Sequence, residues 1–171
     1  MITIRPAREH DAELLPDIEQ SAGQAFRAVP ELAWLADGEN VSAERHRGLI
    51  RQGACIVATD GSDRPVGLLS AEIDGGILHI WELDVRLDLQ GQGIGRALLE
   101  RAIEDARRGG LAAITLTTFR DIAWNAPFYG KIGFRILKDI EVDQRLADLL
   151  RGEAAHGLPV NRRCAMRFEL E

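Results

Sequence analysis

Only two cysteines, Cys55 and Cys164, occur in the 171 residues, far apart and in apolar contexts. They offer no metal-ligand pattern, and they fit a reduced chain in which both thiols act as small buried hydrophobes. Compact runs of Lys and Arg are also missing, and the formal net charge is −6. Phosphate-backbone binding depends on clustered cations, so a nucleic-acid surface is excluded. No apolar run approaches the ~20 residues that cross a bilayer. The first residues, Met1-Ile2-Thr3-Ile4-Arg5, carry no signal-like apolar stretch. No repeat, low-complexity segment or Pro/Gly/Ser linker divides the chain. The expectation is one domain over residues 1–171, cytoplasmic, with no membrane and no nucleic acid among its partners.

What is present is ordinary globular patterning. Ile2 and Ile4 alternate into a short strand ended by Pro6, and Leu14, Leu15, Ile18, Ala22 and Phe26 recur at helical spacing. The stretch from Ala28 to Asn40 reads as irregular. Ser42 is placed to cap a helix that starts at Ala43. Strands are expected at Ala54–Thr59, Val66–Ile73 and Ile77–Val85, separated by the turns Asp60-Gly61-Ser62-Asp63 and Asp74-Gly75-Gly76. An amphipathic helix from Ile94 stops at Gly109-Gly110, and a Thr-rich strand follows over Ala113–Phe119. Asn125 reads as the cap of a short helix closed by Gly133. A strand over Phe134–Ile140, a helix over Asp143–Arg151 and a strand over Arg163–Leu170 complete a mixed α/β, or α+β, pattern.

Between the third long strand and the amphipathic helix lies Gln90-Gly91-Gln92-Gly93-Ile94-Gly95-Arg96. Glycines let a backbone turn sharply and let a ligand approach where a Cβ would obstruct it. Unpaired N–H groups and the helix dipole favour an anion at such a place, and Arg96 adds a cation. No Gly-Lys-Ser/Thr follows, so the turn is not a Walker loop. The third glycine also comes one residue early for a dinucleotide fingerprint. Taken alone, the glycines could serve turn geometry only; the strand before and the helix after point to phosphate.

The run Leu83-Asp84-Val85 to Gln90-Gly91-Gln92-Gly93-Ile94-Gly95-Arg96 resembles the acyl-CoA motif of the GNAT superfamily of N-acetyltransferases, Gln/Arg-x-x-Gly-x-Gly/Ala. Phe128-Tyr129-Gly130-Lys131-Ile132-Gly133-Phe134 is similar to that family's Tyr-x-x-x-Gly-Phe signature. The resemblance implies a mixed, mostly antiparallel sheet of about seven strands with about four to five helices, splayed between the fourth and fifth strands. It implies acetyl-CoA as co-substrate, no metal, and an enzyme of the acyl-CoA-dependent N-acetyltransferase type. Backbone amides over 91–96 would take the pyrophosphate, while Leu83, Asp84 and Val85 would lie along the pantetheine arm. Many members carry an asparagine seven residues before the tyrosine; Ile122 stands there, and Asn125 is the nearby alternative.

Direct attack by an alkylamine, whose pKa lies near ~10, requires a base at neutral pH, and the leaving thiolate benefits from an acid. Tyr129 occupies the family's position for that acid. For the base, His79 and Glu82 both remain open, with His79 placed first because its ordinary pKa is near neutral. By strand alternation His79, Trp81, Leu83 and Val85 share one face, and Ile80, Glu82 and Asp84 the other. The acceptor wall is expected from Phe26, Trp34, Trp81 and Trp124, which with nearby acids suit a small primary amine. A peptide N-terminus or lysine is the alternative acceptor, and a noncatalytic CoA-binding module is the remaining class. A homodimer is compatible with all three.

Overall fold

The computed structural model describes residues 1–171. It contains β1 (Thr3–Pro6), α1 (Leu15–Gly23), α2 (Ala43–Arg51), β2 (Ile56–Thr59), β3 (Pro65–Asp74) and β4 (Ile77–Val85). These are followed by α3 (Ile94–Arg108), β5 (Ala113–Phe119), α4 (Ala126–Ile132), β6 (Arg135–Ile136), α5 (Gln144–Ala155) and β7 (Arg163–Glu169). The strands form one seven-stranded sheet in the order β1-β2-β3-β4-β5-β7-β6. The pairings β1–β2, β2–β3, β5–β7 and β6–β7 are antiparallel, whereas β4–β5 is parallel. The parallel ladder runs through Ile77↔Ala113, Leu78↔Ile114 and His79↔Thr115.

The chain separates into two compact units, Met1–Ile73 with Ile80–Asp105, and Asp74–His79 with Ala106–Glu171. In the first, Ala12, Leu15, Ile18, Leu49, Ile50, Cys55, Val57 and Leu68 form a core against which Trp81 packs. Ser42 starts α2 as expected, its hydroxyl accepting the Arg45 N–H at 3.1 Å. α3 buries Ile94, Leu98, Leu99, Ala102, Ile103 and Ala106, a stripe at helical spacing. Fully burying each leucine contributes roughly 1.5–3 kcal/mol. Gly67 of β3 sits so close to β4 that a Cβ there would meet the Asp84 carbonyl oxygen at 3.2 Å and Leu98 Cδ1 at 3.3 Å.

In the second unit Leu137, Leu146 and Ala165 form a small core with Val142, Leu149 and Leu150 around it. Asp143 caps α5 by accepting the Leu146 N–H at 2.9 Å. Two expectations change. Ala28–Asn40 is not irregular: it holds a 3-10 helix over Pro30–Asp37, preceded by another over Gln24–Ala28. The carbonyl of Ala36 accepts from both Gln20 and Gln24 side chains, which holds the later turn against α1. The sixth strand is also much shorter than Phe134–Ile140. The Glu141 carboxylate accepts the Lys138 N–H at 2.8 Å and draws the chain out of the sheet into a 3-10 turn at Asp139–Glu141.

Candidate active site

The glycine turn has the backbone its sequence demands. Gly91 (φ 80°) and Gly93 (φ 85°) occupy the left-handed region, and nothing lies within 4 Å of a Cβ built on either. The Gly93 carbonyl accepts the Ala97 N–H at 3.0 Å, which closes the first turn of α3 and leaves the amides before Ala97 without intrahelical acceptors. Gln90 turns its side chain back, Nε2 donating to the Val85 carbonyl at 2.9 Å, so it braces the end of β4. Gln92 is exposed, and Gly95 lies within the first turn of α3. Arg96 is exposed and paired with Glu100 at 2.7 Å. Amides without intrahelical acceptors at the start of a long helix suit a diphosphate group.

β4 delivers carboxyl groups just upstream of that turn. One carboxylate oxygen from each of Glu19, Glu82 and Asp84 lies within 4.8 Å of the other two. Burial, first, and then the charge of Glu19 push the Asp84 carboxyl up from its ordinary 3.8 to about 7, against a hydrogen bond shared with Glu82. Asp84 Oδ2 is sealed from solvent and accepts no hydrogen bond. Two such carboxyls can take up one shared proton near neutral pH. The division of faces expected along β4 is not kept. Trp81 packs on the core built from α1 and α2, with the Arg45 guanidinium 6.0 Å from its ring centroid, yet its neighbour Glu82 also reaches Glu19 of α1.

Glu19 and His46 carry no motif and were missed from the sequence. The His46 ring, wholly buried on α2, contacts Glu19 Oε1 through Nε2, and Glu19 Oε2 accepts the Val41 N–H at 3.1 Å. A signal did exist. Glu19 lies in register with Leu15 and Ala22 on the apolar stripe of α1, and His46 with Leu49 and Ile50 on that of α2. A charged group on a buried stripe needs a partner.

His79 has a different setting. It is 1% exposed, its Nδ1 lies 2.9 Å from Thr115 Oγ1, and burial followed by Arg145 holds its pKa down at about 4. At neutral pH it is an uncharged imidazole of low basicity, which argues against the role placed on it first. In the same unit Tyr129 is buried and meets Phe128 and Phe134 edge-to-face, at 5.3 and 5.6 Å between ring centroids. Asn125 stands at the cap position of α4, but its side chain makes no capping bond. Its Nδ2 donates to the Trp124 carbonyl at 3.2 Å, and its buried Oδ1 has no partner. Trp124 is 40% exposed.

Of the acceptor-wall candidates in the first unit, Trp34 is 46% exposed on the 3-10 helix over Pro30–Asp37. Phe26 is half-buried on the preceding turn. Leu83 is half-buried and Val85 is 8% exposed. None of the helices is long and apolar enough to cross a membrane.

The sequence model of the Acetyltransferase (GNAT) family matches residues 16–134. The peptidyl-lysine N-acetyltransferase YjaB of Salmonella typhimurium is 29% identical over 145 residues, covering 84% of this chain and 90% of that protein. The uncharacterized N-acetyltransferase ycf52 of Porphyra purpurea is 34% identical over 80 residues, 46% of this chain. That match spans 44% of the relative, less than half its length. Among solved structures, the PaiA N-acetyltransferase from Thermoplasma acidophilum, in complex with coenzyme A, superimposes with a TM-score of 0.71 at 17% identity over 99% of each chain. The fold is shared at that level. The matched segment contains β4, its carboxyl cluster, the glycine turn and Tyr129, and the chain belongs to the GNAT family of acetyltransferases.

Proposed function

We propose that this protein transfers the acetyl group of acetyl-CoA to a small primary amine, with the Glu82–Asp84 carboxyl pair as the base. The observation that carries this reading is Asp84, a carboxyl held near 7 on the strand that leads into the glycine turn. An ammonium must lose a proton before it can attack, and a group titrating near neutrality is suited to take it. Three carboxyls grouped around that point also favour a cationic acceptor over a neutral one.

Acetyl-CoA supplies an activated thioester carbonyl and a thiol leaving group. The free amides over 91–96, opened by Gly91 and Gly93, would hold its pyrophosphate, and main-chain groups of Leu83 and Val85 would lie along its arm. Asp84, with Glu82, takes the ammonium proton. The uncharged amine then bonds to the acetyl carbon and the carbon–sulfur bond breaks. Tyr129 gives a proton to the departing sulfur and regains one as the new amide nitrogen sheds its extra proton. Trp34 and Phe26 would face the body of the acceptor.

A second reading has one observation behind it: the peptidyl-lysine N-acetyltransferase from Salmonella matches 84% of this chain. A lysine ammonium asks for the same base, so acceptor size is what separates the two. Thiol release from acetyl-CoA with small amines and with lysine-containing peptides tests the choice. Turnover confined to small amines supports the first reading, and turnover confined to peptides replaces it with the second.

A further inference from the structure

Glu19 is fixed as few surface acids are. It is 9% exposed, and both of its carboxylate oxygens face N–H donors, Oε1 that of His46 Nε2 and Oε2 that of Val41. Contacts on both oxygens hold the carboxylate in one orientation. His46 is wholly buried, and the nitrogen it turns to the Glu19 carboxylate is Nε2. The Glu19 carboxylate is thus fixed beside β4, where one oxygen each of Glu82 and Asp84 lies within 4.8 Å of it.

We propose that Glu19, held by His46 and Val41, is a positioning residue for the Glu82–Asp84 carboxyls: its like charge makes that pair bind more tightly the proton it takes from the amine. Neither Glu19 nor His46 needs to touch the substrate for this. The other charged groups around Asp84 are few. Glu82 shares its strand, α2 brings His46 and Arg45, and β3 carries no titratable side chain between Pro65 and Ala71. Arg45 lies over Trp81, so Glu19 is the charge that acts on Asp84 most strongly after burial itself.

This inference rests on the Glu82–Asp84 pair being the base, and the experiment separates the two. The pH profile of kcat/KM is measured for the wild type, Glu19→Gln, Glu19→Asp and Asp84→Asn, with the rise in Tm on adding acetyl-CoA as the check of folding. Removing a like charge at this range moves the acidic limb to lower pH by about one unit in Glu19→Gln. Glu19→Asp, which keeps the charge, restores the limb towards the wild-type position. A merely structural Glu19 would lower Tm in Glu19→Gln and leave the limb in place, which overturns the inference. If Asp84→Asn keeps the wild-type limb, the base reading itself falls.

Should Glu19→Gln not fold, carboxyl carbon-13 NMR of the unliganded wild type decides the question. Glu19 must stay ionised across the pH range in which Asp84 titrates. A Glu19 that carries the proton while Asp84 is ionised overturns the inference.

Discussion

Glu19 of α1 and Asp84 of β4, separated by 65 positions in the sequence, hold carboxylate oxygens within 4.8 Å of each other. Like charges at that distance do not both ionise freely, and the outcome here is an aspartate that titrates at about 7. The fold thus sets an unfavourable contact at the strand that leads into the glycine turn.

That contact affects stability in a direction that can be checked. Asp84 binds its proton more tightly in the folded protein than in the unfolded chain, where 3.8 applies. Its contribution is fully present below about pH 4 and is lost as pH rises towards 7. Asp84→Asn should therefore be more heat-stable than the wild type at pH 8, with the advantage vanishing at pH 4. Thermal unfolding by circular dichroism at the two pH values tests this; equal Tm values at pH 8 would show that the site carries no such strain.

His79 works in the opposite sense. Its pKa falls from 6.5 to about 4 on folding, so its contribution is present above 6.5 and is lost as pH drops through 4. In His79→Ala this part of the acid destabilisation should disappear, while loss of the imidazole beside Thr115 costs about 1–3 kcal/mol at neutral pH. The acidic limb of kcat/KM should stay where it is. A limb that vanished with His79 would return the base to the histidine.

Gly93 supplies φ 85° at the head of α3. A Cβ there meets nothing, so Gly93→Ala is resisted by the backbone conformation alone, at about 1–2 kcal/mol. Relief of that strain would turn the amides away from the pyrophosphate. The KM for acetyl-CoA should rise roughly tenfold or more, while the KM for the amine changes little. An unchanged acetyl-CoA KM would argue that the glycines serve turn geometry only.

How much of this was legible in the sequence follows from the range of the interactions. The glycine turn, the strands on either side of it and the Ser42 cap depend on neighbours a few residues apart, and the sequence reading located them. The short β6 was not legible, because it depends on Glu141 reaching back to the Lys138 N–H rather than on the apolar run before it. The carboxyl cluster was half legible. Glu82 stood out on its strand, but Glu19 and His46 come from two helices, and only the placement of charged groups on apolar stripes marked them. The role given first to His79 rested on the ordinary pKa of histidine, which burial beside Thr115 takes away.

Tyr129 is the simplest test of the acid. Tyr129→Phe keeps the edge-to-face contacts with Phe128 and Phe134, so stability should change by no more than about 1.5 kcal/mol. A lost general acid lowers kcat by roughly 10²–10⁴ and leaves the acetyl-CoA KM almost unchanged. Stopped-flow thiol detection with a saturating amine measures it. A variant with wild-type kcat would make Tyr129 a core aromatic only.

The most direct measurement is thiol release from acetyl-CoA against pH, with a panel of small primary amines, for the wild type and Asp84→Asn. The wild type should turn over at least one amine, with an acidic limb in kcat/KM near 7 that is absent from Asp84→Asn. An acidic limb that survives in Asp84→Asn, or no turnover of any amine by a protein whose Tm rises with acetyl-CoA, would contradict the account.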